Sequence, residues 1–172
     1  MNRPLGHSRN VSLRLRVVTD TSDIPALVEL AREAHTESRF SYIPFSADKV
    51  VKIARLALKD GKRHGIFIAE RGGAPVGFAY CTLGEYHIGT DVLIATIHNI
   101  NVSRAARQRL AGGRAALGLL NGAKSWAHAR GASEIFFHVT SGSELERTHR
   151  LAKRLGYATI GGSYALSLNA RS

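Results

Sequence analysis

The part of the chain best suited to chemistry is the segment 97–120, IHNINVSRAARQRLAGGRAALGLL. It joins an apolar, β-branched run to a helical pattern through a basic turn that contains two adjacent glycines, Gly112 and Gly113. The first N–H groups of a helix lack partners within it and carry part of its dipole, so they attract anions. Glycine lets a phosphate approach the backbone, and arginine donates paired hydrogen bonds to it. The pattern predicts an anion site; the alternative is an ordinary strand-to-helix turn with surface arginines.

The charge along the chain is consistent with an anionic partner. The 172 residues contain 24 Lys and Arg against 13 Asp and Glu, a formal net charge of +11. No acidic residue lies between Asp91 and Glu134, whereas that stretch holds Arg104, Arg107, Arg109, Arg114, Lys124 and Arg130. A basic segment without acids is typical either of an anion site or of a solvated face. Charge alone leaves nucleic acid, a phosphorylated cofactor, an acidic protein and lipid open as partners.

Several functional classes are excluded by what the sequence lacks. It has no G-x-G-x-x-G, and GLLNGAKS (118–125) has the wrong spacing for a nucleoside-triphosphate loop. The single cysteine, Cys81, excludes an internal disulfide and a cysteine zinc site, and it indicates a reducing, cytoplasmic location. No His, Asp and Glu cluster has metal-ligand spacing, and no apolar run approaches the roughly 18–20 residues of a membrane span. We therefore expect no metal and no membrane association.

Periodicity predicts two helices and four strands in the first hundred residues. The strands are expected at 13–17, 65–70, 75–83 and 92–102, with a glycine turn at 71–74 that makes the middle two a hairpin. The run 92–102 is too apolar for an edge strand, which indicates a central one. The helices are expected at 22–37 and from Ser46 onward, with the aromatic loop RFSYIPFS (38–45) between them.

The rest of the chain alternates helices with strands. A helix over 110–130 has an apolar stripe, and Gly118 and Gly122 are expected to let it approach the sheet closely. A strand at 134–140, a helix capped by Ser143 and Glu146, and short strands near 158–160 and 163–168 complete the pattern. The order β α α β β β α β α β β predicts one α/β domain over residues 13–172, after a flexible tail at residues 1–12.

The order of elements and the basic turn together resemble the GNAT superfamily of acetyl-CoA-dependent N-acetyltransferases, over residues 13–168. In that family the central strand ends V-x-P, and Q/R-x-x-G-x-G/A leads into a long helix. Here the strand ends Val102, Ser103, Arg104, and Arg107 falls at the expected distance. Two registers remain open. One places Leu110 where glycine is usual and Gly112 at the last small position; the other aligns AGGRAALGLL (111–120) with RGGRAA-type loops and lengthens the turn by about four residues.

A second motif strengthens the resemblance and also departs from it. The segment ELERTHRLAKRLGYATIGGSY (144–164) is similar to the family pattern N-x-x-A-x-x-L-Y-x-K-x-G-F. Leu151, Arg154, Gly156 and Tyr157 match, whereas the family's frequent tyrosine maps to Ala152. In many members that tyrosine protonates the leaving thiolate, which Ala152 cannot do.

The resemblance implies a fold and a cofactor site. The fold would be a mixed, mostly antiparallel central sheet of about six or seven strands flanked by about four helices. Acetyl-CoA would be the co-substrate, with its pantetheine arm paired to the backbone around Ile100, Asn101 and Val102. Its diphosphate would lie on the amides of residues 107–115. The implied contacts in that range are Arg107, Arg109, Leu110, Ala111, Gly112, Gly113, Arg114 and Ala115.

The resemblance also frames the choice of catalytic groups. The family's base is often a glutamate of the central strand, where this chain has His98, Asn99 and Asn101. His98 is our first candidate because imidazole accepts a proton near neutral pH; its alternative is a hydrogen-bonding role within the sheet. Weaker candidates are Glu85, His87 and Asp91, and His138 fits a structural role. For the acid, Ser141 or water is preferred over Tyr157 and Tyr164.

The sequence gives least information about the acceptor amine. Arg39, Tyr42 and Phe45 are candidates for substrate contact, and the alternative is that these aromatics connect the first two helices. We expect a small-molecule or peptide amine, not a polycation, since like charges repel. A homodimer is compatible with the sequence. Two rival functions stay open: a CoA-binding protein with little catalysis, because of Leu110 and Ala152, and a basic nucleic-acid-binding module.

Overall fold

The computed structural model describes residues 12–139, 141–142, 144–162 and 164–165. Within these ranges the strands are β1 (Leu13–Val17), β2 (His64–Arg71), β3 (Ala74–Glu85), β4 (Leu93–Val102) and β5 (Glu134–Phe137). The helices are α1 (Ile24–Thr36), α2 (Ala47–Lys59), α3 (Arg104–Arg107), α4 (Leu110–His128) and α5 (Leu145–Arg154). The strands form one sheet in the order β1-β2-β3-β4-β5. Strands β1 to β4 are antiparallel neighbours and β5 runs parallel to β4.

Apolar side chains cover both faces of this sheet, which explains the continuous apolar runs of β2 and β4. On one face, Phe67, Cys81 and Ile97 pack with Leu119 and Trp126 of α4. On the other face, Ile66, Ile68 and Phe78 pack with residues of α1 and α2. We call these the α4 face and the α1 face. Successive side chains of β2 point to opposite faces of the sheet and thus enter two different cores.

Two glycine predictions have different outcomes. At Gly122 an added Cβ would lie 2.5 Å from Leu15 Cδ2, so this glycine does let α4 approach β1 closely. At Gly118 nothing lies within 4 Å, and the prediction for that residue is wrong. The predicted hairpin of β2 and β3 is confirmed. Its turn contains Gly72 and Gly73 with φ of 61° and 82°, which glycine adopts without strain.

The sheet has fewer strands than the sequence predicted. Residues 158–160 are exposed and form no strand, because three residues before Gly161 and Gly162 bury too little surface to hold a partner. Residues 164–165 of the other predicted strand are not in a strand either. The remainder of 163–168, the tail residues 1–11 and the predicted cap Ser143 lie outside the described residues. The α-helices number five within the described ranges, because residues 104–107 form the short α3 where a loop was expected.

Strand β4 contains a β-bulge close to the point where the sheet opens. Opposite β3, Tyr80 pairs with Asn99 and Cys81 pairs with Ile97, so His98 is an extra residue in a β-bulge. On the other side, the pairing with β5 ends at Ile97 and Phe137. Residues 99–102 therefore continue along β3 while β5 diverges, and the sheet opens between the two strands.

Candidate active site

A cleft of about 680 Å³ occupies this opening. Its walls come from the end of β4, the residues after β5, the start of α4, the α1 helix with its following loop, and α5. Because β4 and β5 diverge, the cleft reaches both faces of the sheet, from α4 and α5 on one side to α1 on the other. A long, thin ligand could therefore pass through the sheet.

The backbone of β4 offers free hydrogen-bonding groups to this cleft. Ser103 N–H donates to Val76 C=O at 2.8 Å, and antiparallel pairs alternate between bonded and non-bonded residues. The backbone N–H and C=O of Asn101 therefore face β3, whereas those of Ile100 and Val102 point toward the opening. All three residues line the cleft, and the side-chain Nδ2 of Asn101 is buried without a hydrogen-bond partner among the described residues.

The basic turn faces the cleft, as the anion-site prediction requires. Helix α4 begins at Leu110, its first turn contains no acidic residue, and its N-cap, Arg109, makes no side-chain capping bond. Of the first N–H groups, that of Gly112 bonds to Arg109 C=O at 3.0 Å. Both Gly112 and Gly113 line the cleft. The start of α4 therefore presents backbone donors to an anion.

Gly112 is sterically required at its position. An added Cβ would lie 2.6 Å from Arg107 Cα and 2.7 Å from Ala106 C=O oxygen, both backbone atoms that cannot give way easily. Gly113 has open space around it. This arrangement favours the register in which Gly112 fills the last small position of the motif, five residues after Arg107.

The remaining residues of the predicted diphosphate segment lie in different surroundings. Arg107 lines the cleft, but its guanidinium is paired with Glu37 at the end of α1. Arg109 and Arg114 are exposed outside the cleft wall, and Ala115 is buried in the core. Leu110 and Ala111 contribute the first backbone positions of α4.

Sequence analysis missed a row of arginines on α5. Arg147, Arg150 and Arg154 all line the cleft. Their spacing of three and four residues puts them on one side of a helix, and that spacing was the signal available in the sequence. Arg147 is paired with Glu144 at 3.0 Å. The row adds positive charge on the side of the cleft nearest α4.

His98 lies on the α1 face at the bulge and lines the cleft. Its Nε2 and Thr82 Oγ1 are 2.7 Å apart and share a hydrogen bond. Its ring stacks on Tyr80 with centroids 5.4 Å apart, and Tyr80 Oη lies 2.9 Å from His64 Nδ1. Burial against these neighbours, followed by the charges of His138 and His64, lowers the pKa of His98. The imidazole is therefore neutral at pH 7 and able to accept a proton.

The other catalytic candidates are separated by position. Ser141 lines the cleft, and its C=O accepts a hydrogen bond from Arg39 N–H at 2.7 Å. Tyr157 is set against Phe137 away from the cleft wall, and burial raises the pKa of its hydroxyl. Tyr164 is 97% exposed. Glu85, His87 and Asp91 are exposed near the β3–β4 connection, outside the cleft wall, whereas His138 lines it.

The loop after α1 supplies aromatic walls at the α1 end of the cleft. Phe40 and Phe45 line it, together with His35, whose Nε2 lies 2.6 Å from Ile43 C=O oxygen. Arg39 lies over the Phe40 ring, and Tyr42 is outside the wall. Of the three predicted substrate contacts, only Phe45 reaches the cleft.

The described residues hold no candidate metal centre and no candidate membrane span. They contain no group of three or more His, Cys, Asp or Glu side chains placed to hold a metal ion. In the same ranges no helix is long and apolar enough to cross a membrane.

Comparison with known proteins places this geometry in a family. Residues 24–157 match the sequence model of the Acetyltransferase (GNAT) family. The chain belongs to the GNAT family. No curated protein sequence matches this GNAT chain significantly. The family prediction is confirmed, and so is its mixed α/β architecture.

Solved structures share the fold of this GNAT chain at low sequence identity. The aminoglycoside N-acetyltransferase AAC(6′)-Iy in complex with CoA superposes with a TM-score of 0.70 at 17% identity, covering 93% of this chain and 97% of that one. Its complex with a CoA bisubstrate analogue gives 0.69 at 16%, covering 92% and 99%. A ribosomal-protein-alanine N-acetyltransferase from Brucella melitensis biovar Abortus 2308 gives 0.64 at 16%, covering 92% and 100%.

Proposed function

We propose that the protein is an N-acetyltransferase that transfers the acetyl group of acetyl-CoA to an amine by direct attack in a ternary complex. One observation carries this proposal: the amide-bearing start of α4 faces the opening between β4 and β5. Structural neighbours are named for an aminoglycoside and for the alanine of a ribosomal protein, which supports an amine as acceptor.

The residues of the cleft fit the parts of acetyl-CoA in order. The first-turn amides of α4, with the small Gly112 and Gly113, suit the diphosphate. The free N–H and C=O groups of Ile100 and Val102 suit the amides of the pantetheine arm, which would pair with β4 as a strand does. The arginines of α5 suit a further phosphate. Threaded in this way, the thioester would emerge on the α1 face, next to His98.

Acetyl transfer then requires little from the protein beyond placement and one proton transfer. The amine nitrogen attacks the thioester carbonyl carbon and forms the N–C bond, the C–S bond breaks, and its electron pair leaves with sulfur. His98 takes the proton from the amine, directly or through a water, and Ser141 or water supplies a proton to the thiolate. The neutral imidazole at pH 7 supports His98 as the base.

A second candidate function is CoA binding with little catalysis. It is favoured by the shortage of acid and base groups in the cleft wall. Among the described residues, no tyrosine hydroxyl lines the cleft, and the only carboxylate there, that of Glu144, is paired with Arg147. A protein of this kind would bind acetyl-CoA and release no thiol with any amine.

Calorimetry with acetyl-CoA and a thiol-release assay with a panel of amines test both functions. We expect stoichiometric acetyl-CoA binding and amine-dependent thiol release. Binding without release over the whole panel would leave the second function in place. Failure of the wild type to bind acetyl-CoA would contradict both. A steeply salt-dependent association with a DNA duplex, unaffected by CoA, would instead indicate nucleic-acid binding.

We also propose a cytoplasmic location. Cys81, the only cysteine, is buried, and burial raises the pKa of its thiol to about 12. It therefore stays protonated and unreactive at neutral pH. A free thiol without an internal disulfide is typical of proteins in a reducing compartment.

A further inference from the structure

We propose that the acceptor carries a single amino group on an apolar or aromatic body, and that polycations such as polyamines and aminoglycosides are poor acceptors. This inference rests on the proposed acetyl transfer. It comes from the charge and the surface of the α1 end of the cleft, which we call the acceptor chamber. Its walls are Ala31, Ala34, His35, Ser38, Phe40 and Phe45.

The acceptor chamber has no carboxylate to receive a second ammonium group. All 13 Asp and Glu side chains of the chain lie in the described residues. Among them Glu144 alone lines the cleft, and it is paired with Arg147 at 3.0 Å. A polycation that entered would therefore give up hydration without gaining an unengaged opposite charge.

The two acids that join the end of α1 to the residues before α4, Glu33 and Glu37, are already engaged. Glu33 Oε1 accepts the N–H of Arg104 at 2.6 Å, and the carboxylate of Glu37 is ion-paired with Arg107. Both hold α1 to the turn before α4. Recruiting either acid to bind a substrate ammonium would break a contact that positions this turn.

The aromatic rings of the acceptor chamber already carry cations. The guanidinium carbon of Arg32 lies 4.6 Å from the Phe45 ring centroid, and that of Arg39 lies 5.5 Å from the Phe40 centroid. Cation–π attraction at these rings is thus supplied by the protein itself, and further positive charge meets repulsion. What Phe40, Phe45, Ala31 and Ala34 still offer is apolar surface, which an apolar substrate body can cover.

A single amino group is compatible with this chamber, because the attacking nitrogen must be uncharged when it reacts. The charge of a monoamine is lost as its proton leaves, so no lasting positive charge stays among the arginines. A polyamine or aminoglycoside keeps its other ammonium groups throughout the reaction.

The first test compares acceptors with the wild-type protein. With saturating acetyl-CoA, we expect kcat/KM from thiol release to be at least about tenfold higher for phenethylamine and tyramine than for spermidine and kanamycin. Equal or higher values for the polycations would overturn the inference. Acetyl-CoA binding with no turnover of either class, or no acetyl-CoA binding at all, would instead contradict the proposed acetyl transfer on which the inference rests.

The second test adds the missing charge. Ala34→Glu introduces a carboxylate into the acceptor chamber, and Ala34→Gln introduces a side chain of the same size without charge. We expect Ala34→Glu to raise kcat/KM for spermidine relative to phenethylamine about tenfold and Ala34→Gln to leave that ratio unchanged. The same ratio in both variants, with acetyl-CoA binding intact, would count against the inference. The wild-type comparison stands even where a variant fails to fold.

Discussion

Arg107, the last residue of the short α3 before α4, is ion-paired with Glu37 at the C-terminal end of α1. The two side chains are partly buried, with 23% and 22% of their surfaces exposed. They lie 70 positions apart in sequence, and Arg104 N–H bonds to Glu33 of the same helix. The helix that forms the acceptor chamber is therefore tied directly to the turn that would bind the diphosphate.

Breaking this ion pair should affect stability more than breaking a surface pair on the same helix. For Glu37→Gln we expect the free energy of unfolding to fall by about 1–2 kcal/mol, since a partly buried cation loses its partner. The matched control is Glu29→Gln. Glu29 pairs with Arg32 at 3.6 Å with both side chains largely exposed, so we expect a change below about 0.5 kcal/mol.

Urea denaturation measures both effects, and calorimetry follows acetyl-CoA binding in the same proteins. Glu37→Gln releases the Arg107 guanidinium toward the cleft, so we expect its acetyl-CoA affinity to be retained or increased. A loss of affinity larger than the loss in Glu29→Gln would show that Arg107 is needed in its paired position.

Gly112→Ala should damage the turn, whereas Gly118→Ala should not. The first change places a methyl group against the backbone of Arg107, and overpacking of this kind costs about 1–3 kcal/mol. The second adds a methyl group in open space on the same helix and should stabilise the protein by about 0.5–1 kcal/mol. We expect calorimetry to show at least about tenfold weaker acetyl-CoA binding for Gly112→Ala only. Equal binding in the two variants would remove Gly112 from the site.

His98→Gln should lower kcat/KM for the preferred amine by about 10²–10⁴-fold, the range of a general base. The pKa of His98 lies below the ordinary value of about 6.5. Since the base acts in its neutral form, wild-type activity relative to His98→Gln should increase with pH up to that pKa and be constant above about pH 7. The ionisation of the amine is common to both proteins and cancels in this ratio.

His87→Gln is the control for this experiment, because His87 is exposed and outside the cleft wall. Thr82→Val removes the hydrogen bond to His98 Nε2, and we expect it to move the pH midpoint while acetyl-CoA binding is kept. His64, Tyr80 and His138 also face His98. A pH profile that is the same in wild type and His98→Gln would exclude His98 as the base.

The arginines of α5 should discriminate CoA from dephospho-CoA. We expect Arg150→Gln and Arg154→Gln each to weaken acetyl-CoA binding roughly tenfold at low salt, with a smaller effect at high salt because charges are screened. Lys153→Gln, a change on an exposed residue of the same helix outside the cleft, should have little effect. If these side chains bind the 3′-phosphate, the arginine variants will bind CoA and dephospho-CoA almost equally. An unchanged preference for CoA would place that phosphate elsewhere.

The sequence predicted those parts of the fold that depend on local periodicity. The apolar residues of β2 and the β-branched run of β4 indicate strands that are buried on both faces of the sheet. The apolar stripe of α4 indicates which side of that helix packs against the sheet. The start of α4 at the basic, glycine-containing segment could also be predicted, because the apolar stripe of that helix begins there. The prediction of a strand at 158–160 was wrong, because a short apolar run does not reveal whether a partner strand is present.

The parts that could not be predicted depend on residues distant in sequence. The bulge at His98 is a mismatch between β3 and β4, and neither strand alone contains that information. The ion pair of Arg107 with Glu37 requires α1 to be placed beside α3. The hydrogen bond between Thr82 and His98 likewise needs the register of two strands. Local patterns thus predicted the start of α4 at one end of the cleft, and tertiary contacts determined the surroundings of His98 at the other end.

The extra residue at position 98 has a consequence for the whole strand. Before it, odd-numbered side chains such as Ala95 and Ile97 enter the core beneath α4; after it, even-numbered Ile100 and Val102 do so. Deleting a single amino acid there would restore a uniform two-residue repeat in which both halves of β4 keep their present faces. The deletion would instead remove the local bend of the bulge, which lies where β4 and β5 separate. The extra residue is accordingly required by the opening of the sheet and not by the packing of its two cores.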